Sequence, residues 1–174
     1  ANAFSGFGGV NEIPNGAGCL ENGEVNSVWY AFTVFTAGNL TMQLNPLNLN
    51  DDYDFAIYNL TNDSCSGIEQ GLNLPIRCSY SSQPGSTGLS NGAVLTTAGT
   101  SDPNQLAPMS VTVGETYVMV VSNFTSSQTG YSIDFGGSAS VSDQQNPRID
   151  YNNLEGACSP DHVQVILEEQ VECG

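Results

Sequence analysis

The sequence predicts an all-β fold, an antiparallel β-sandwich with a C-terminal extension. Three observations carry this expectation. Short segments rich in β-branched and aromatic residues recur along the chain. Gly, Asn, Ser and Pro punctuate the intervals between them, with 19 glycines in 174 residues. Almost no stretch repeats its apolar residues at the helical period. Several short strands without helices must bury their apolar faces against each other, which makes a sandwich.

The elements follow in order. Residues 1–18 are rich in Gly and Asn and read as an irregular lead-in. Val28 to Phe35 is the first strong strand, with the aromatic and β-branched content of a half-buried pleated surface. Ala37-Gly38-Asn39 is a turn, and Leu40 to Leu44 alternates apolar and polar as its hairpin partner. Phe55 to Leu60 is the next strand. From Asn62 to Pro108 turn formers dominate, with short strands expected at Ile76–Tyr80 and Ala93–Thr97. Ser110 to Val113 begins another strand. Thr116 to Ser122 is a buried strand, Asn123 to Thr129 a loop, and Gly130 to Phe135 places Tyr131, Ile133 and Phe135 on one face. The sandwich is expected over 19–141 and a linker over 142–148. The tail, 149–174, is too short for a core of its own and reads as the start of a further β module, with a strand near His162–Leu167.

Composition excludes several functions. The chain has 18 acidic residues against two basic ones, Arg77 and Arg148, and no lysine, for a net charge of −16. Nucleic acid and anionic membranes need clustered Lys and Arg, so neither is expected as a partner. No run of ~18 apolar residues is present, so no helical membrane insertion is expected. Charged residues are only 11% of the chain, so Asn, Ser, Thr and Gln must cover the surface, as in an extracellular β-protein. The start at Ala1 without Met suggests a mature or excised piece of something longer.

Five cysteines occur at 19, 65, 78, 158 and 173, without a CxxC pair, and His162 is the only histidine. A Cys/His zinc site is not expected. Disulfides are, given the exported-protein composition. Cys65 and Cys78 flank a short polar loop and form the first candidate pair. Cys158 with Cys173 is the second, leaving Cys19 unpaired.

The richest chemistry lies in Asp51-Asp52-Tyr53-Asp54-Phe55-Ala56-Ile57-Tyr58. Three carboxylates within four residues open an alternating strand, and hard cations such as calcium want several oxygens close together on a turn. Solvated turn residues are the plainer reading. Catalysis finds less support. A Ser-His-Asp triad would need His162, which lies in the tail. No carboxylate pair is singled out by an apolar setting, and a phosphate loop would need lysine. The chain is therefore expected not to be an enzyme. Tyr53, Tyr58 and Tyr80, near the long loops, are candidate ligand-contact aromatics, with core or rim packing as the plainer role. Asn-x-Ser/Thr sequons at Asn39, Asn59, Asn62 and Asn123 are no more than an Asn/Thr-rich composition produces.

The series Glu24-x-Asn26-Ser27-x-Trp29-Tyr30-x-Phe32-Thr33, Asp51 to Tyr58, Pro75-Ile76-Arg77-Cys78-Ser79-Tyr80, Thr112-Val113-Gly114-Glu115-Thr116-Tyr117 and Tyr131-Ser132-Ile133-Asp134-Phe135 resembles a domain of very large Bacteroidetes cell-surface proteins. Those proteins are exported by type IX secretion and include gliding-motility adhesins. The resemblance covers roughly Cys19 to Ala139. It extends, more distantly, to pre-peptidase C-terminal and collagen-binding domains, which are calcium-binding jelly rolls. Pro147-Arg148-Ile149 and Ala157 to Val165 look like the opening of the next module in such arrays, with Cys158 and Cys173 bracketing its first strand.

The resemblance implies a jelly-roll-like sandwich and a structural calcium held by Glu24, Asn26, Asp51, Asp52 and Asp54. The matching position at Glu21 is set aside, because the distant relatives carry their acidic ligands in a longer linker. It implies a secreted, cell-surface module whose partners are neighbouring domains of the same chain and surface polysaccharide or another surface component. The expected role is adhesion or spacing. Alternatives are a carbohydrate-binding module attached to a secreted enzyme, or an extracellular filament subunit that exchanges its tail as a strand.

Overall fold

The computed structural model describes residues 13–14, 16–20 and 26–142. The linker and tail expectations, with Glu24, Cys158, Cys173 and His162, lie outside the described residues. Two sheets pack face to face, as the sequence predicts. Among the described residues, eleven strands and one short helix run in the order β1 (Val28–Thr36), β2 (Gly38–Pro46), β3 (Tyr53–Asn59), α1 (Cys65–Glu69), β4 (Arg77–Ser79), β5 (Thr87–Leu89), β6 (Thr97–Ala98), β7 (Gln105–Leu106), β8 (Met109–Val111), β9 (Thr116–Asn123), β10 (Tyr131–Gly137) and β11 (Ser140–Ser142). One sheet has the order β11-β1-β9-β3-β4-β6. The other runs β10-β2-β5-β7, with β8 also on β2.

Strand alternation builds the core between the sheets. On β2, Leu40, Met42 and Leu44 are buried while Thr41, Gln43 and Asn45 are not. Phe55, Ile57, Met119 and Val121 meet them from the other sheet. Each such side chain contributes ~1.5–3 kcal/mol by leaving water.

The six-stranded sheet is buried on its outer face as well. Ala56, Tyr58, Val118 and Val120 point outward and are covered by Ile13, Ala17 and Leu20, with Ile68 of α1 beside them. The lead-in is thus part of the core at Ile13 and Ala17, both fully buried. A disulfide between Cys19 and Cys78 staples that segment to β4, with Cα atoms 5.8 Å apart. The expected Cys65–Cys78 pair is therefore wrong, and so is an unpaired Cys19. Cys65, on α1, is disulfide-bonded too, but not to Cys78. Proximity in sequence misled here. Cys78 lies across from Ala56 on the outer face, where the segment carrying Cys19 packs.

Two further expectations fail. β1 and β2 are consecutive but do not pair: β1 pairs with β9 and β11, and β2 with β10, β5 and β8. Residues 37–38 are a corner between sheets, not a hairpin turn. Gly38, at φ +152°, makes the corner, since a Cβ there would meet Ser138 Oγ at 2.6 Å. The expected strand Ala93–Thr97 reduces to β6, which begins only at Thr97. From β4 to β7 the chain alternates between sheets. Hence β6 returns parallel to β4 and β7 parallel to β5, the exceptions to an otherwise antiparallel pairing. Arg77 ties this spiral down, donating to the carbonyls of Ala107, Ile76 and Pro108 at 2.6–2.7 Å.

Candidate functional site

The acidic turn divides as strand periodicity requires. Side chains two apart share a face, so Asp52 and Asp54 point outward from the six-stranded sheet and Asp51 does not join them. Asp51 is buried and its carboxylate accepts from Asn48 Nδ2 at 3.0 Å, from Thr129 Oγ1 at 2.5 Å and from Ser127 Oγ. It pins the loop after β9 to the turn before β3. Asn26 works on the same loop, at φ +50°, donating from Nδ2 to Ser126 Oγ at 2.9 Å.

Asp52 and Asp54 line a cleft of about 40 Å³. Tyr80, Ser81, Ser82, Thr100 and Phe124 complete its lining. Backbone pairing sets these positions. The Phe124 amide donates to the Asp52 carbonyl at 3.1 Å, and the Asp52 amide to Thr125 Oγ1 at 2.7 Å. The Tyr80 amide donates to the Ala98 carbonyl at 2.8 Å. Ser81 and Ser82 donate their hydroxyl protons to the carbonyls of Asp102 and Thr100, both at 2.7 Å.

The electrostatics of the pair are unusual. Asp54 is 2% exposed, and among the described residues no donor meets its carboxyl. Burial pushes it up to about 8, and the Asp52 charge adds to the push. Burial raises Asp52 above its ordinary value as well, and its Oδ1 is buried with no hydrogen-bond partner among the described residues. Two such carboxyls take up either protons or a cation. The sequence singles out no acid pair by its setting; the structure singles out this one.

Among the described residues, no group of three or more His, Cys, Asp or Glu side chains is placed to share a metal ion. Of the five expected calcium ligands, the structure brings together Asp52 and Asp54. It sets Asp51 and Asn26 in the neighbouring hydrogen-bonded loop. Of the candidate aromatics, Tyr80 lines the cleft, whereas Tyr53 and Tyr58 are core residues at 2% and 0% exposure and cannot contact a ligand. Sequence reasoning missed Phe124, Ser81, Ser82 and Thr100. Phe124 had a signal, as a large aromatic in a polar loop directly after a buried strand; the other three had none.

Comparison with protein-family models, with characterised proteins and with solved structures yields no match.

Proposed function

We propose that this chain is a non-catalytic module of a secreted, multi-domain bacterial surface protein, acting in adhesion or as a structural spacer, with the Asp52–Asp54 cleft as its cation site. The observation that carries the cation site is Asp54, buried beside a second carboxylate with no donor among the described residues. A sheet covered on both faces and stapled by a disulfide suits a stiff module exposed to an oxidising surface.

Calcium is the cation the sequence leads one to expect, and the orphaned oxygens of Asp52 and Asp54 fit it as half of a site. Those two residues would hold it, with hydroxyls, carbonyls and water completing six to eight oxygens. Bound there, calcium would supply the positive charge that the pair lacks. Thermal unfolding with calcium or with chelator tests this. A rise in Tm with millimolar calcium, lost in Asp54→Asn, is expected; an unchanged Tm in the unsubstituted chain would remove the metal from the proposal.

Tyr80 and Phe124 beside two carboxylates favour a second reading, a carbohydrate-binding module. Glycan-array binding that disappears in Tyr80→Ala would select it, and an array without hits would reject it.

A further inference from the structure

The cleft offers more than a bare ion uses, and the identity of its occupant rests on its being a cation site. Once ionised, its two carboxyls offer only acceptors. Asp54 is 2% exposed and unmet by any donor among the described residues. Ser81 and Ser82 have already donated their protons to backbone carbonyls, which leaves lone pairs. The complement is a group with several donors and no acceptor, and an alkylammonium is that group.

Apart from Thr100, the rest of the wall is aromatic. Phe124 is 54% exposed and lines the cleft, with its backbone amide bonded to the Asp52 carbonyl. Tyr80 is half-buried and lines the same cleft. Such rings pack an alkyl stem and attract an organic cation through their faces. A hydrated divalent ion uses neither property. Size narrows the choice further. A water needs about 10–15 Å³ of such space, so 40 Å³ admits about three water-sized groups. That is room for an ammonium and two methylenes.

These 174 residues contain no lysine, so an alkylammonium side chain must come from outside them. A net charge of −16 draws basic partners toward this surface. We propose that the Asp52–Asp54 cleft receives the ammonium group of a lysine side chain presented by a basic partner protein, with Phe124 and Tyr80 flanking its methylene stem.

NMR titration of the full chain with Nα-acetyl-lysine methylamide, its norleucine counterpart and calcium tests the assignment. The lysine compound is expected to shift the Phe124, Ser81 and Ser82 amides and the Asp54 carboxyl, saturating in the millimolar range. The norleucine compound should leave them unmoved. Asp54→Asn and Asp52→Asn should each weaken lysine binding about tenfold or more, because a charge-assisted contact is lost. Both substitutions are near-isosteric, and the spectrum of each variant reports whether it is folded. Equal shifts with norleucine would overturn the proposal. Calcium shifts that the lysine compound neither reproduces nor competes with would overturn it too, while leaving the cation site standing. No response to either cation would remove both. Tighter lysine binding in Arg148→Gln would mean that the chain's own arginine competes for the cleft, and would overturn the assignment to a partner's lysine.

Discussion

Asp51 and Asp54 are three residues apart and differ in their hydrogen-bond partners. Asp51 faces a loop with three donors, which satisfy its side chain. Asp54 faces a covered sheet surface and meets none among the described residues. The composition of the turn, legible in the sequence, could not distinguish them; period-two alternation and the partner strands did. The difference makes a pH prediction. The Asp54 carboxyl is raised from 3.8 to about 8, so between these values the folded chain holds a proton that the unfolded chain has released. Its contribution to stability is complete below the lower value and is lost as pH rises through the upper one. In cation-free buffer, Tm should therefore fall from about pH 4 to about pH 8. Asp54→Asn should flatten that fall and raise Tm at the alkaline end. A variant whose Tm follows pH as steeply as the parent would show that Asp54 is not the titrating group. Asp52, raised by the same burial, contributes a smaller decline in the same direction.

Strands with strong composition were legible, while their pairing was not. β1, β3 and β9 announce themselves through aromatic and β-branched runs, and each lies within one or two residues of its expected bounds. The hairpin inferred for β1 and β2 failed because adjacency in sequence says nothing of a corner between sheets. β5 was missed for a related reason. Its middle residue is Gly88, which reads as punctuation but packs against the backbone of β2. At φ +154°, a Cβ on Gly88 would collide with the Met42 carbonyl. Gly88→Ala should consequently cost about 1–3 kcal/mol, since rigid backbone must move to admit one methyl group. Gly99→Ala is the control: its nearest contact is Asp102 Oδ2 at 3.5 Å, an ordinary separation. It should stay within about 0.5 kcal/mol. Urea unfolding measures both, and equal costs would refute the close approach at β5.

At the scale of the molecule, two cores share one sheet. β3 and β9 contribute Phe55, Ile57, Met119 and Val121 to the inner core, and Ala56, Tyr58, Val118 and Val120 to the outer one. The inner core is closed by strands on both sides. The outer one depends on a segment with no strand pairing, residues 13–14 and 16–20, held through Cys19. The disulfide spans 59 positions, and closing a loop of that length lowers the entropy of the unfolded chain by an amount worth about 4 kcal/mol. Because Cys65 is also disulfide-bonded, a reductant would not isolate this bridge. The double variant Cys19→Ser with Cys78→Ala does, the alanine keeping a hydroxyl out of the buried position. A loss of about 4 kcal/mol in a domain of this size lowers Tm by about 10 °C. Hydrogen exchange should localise the damage, with the segment around Ala17 losing protection before the amides of β2, whose buried side chains Leu40, Met42 and Leu44 all lie in the inner core. Simultaneous loss everywhere would mean that the two cores unfold as one unit, and an unchanged Tm would mean that packing alone holds the segment in place.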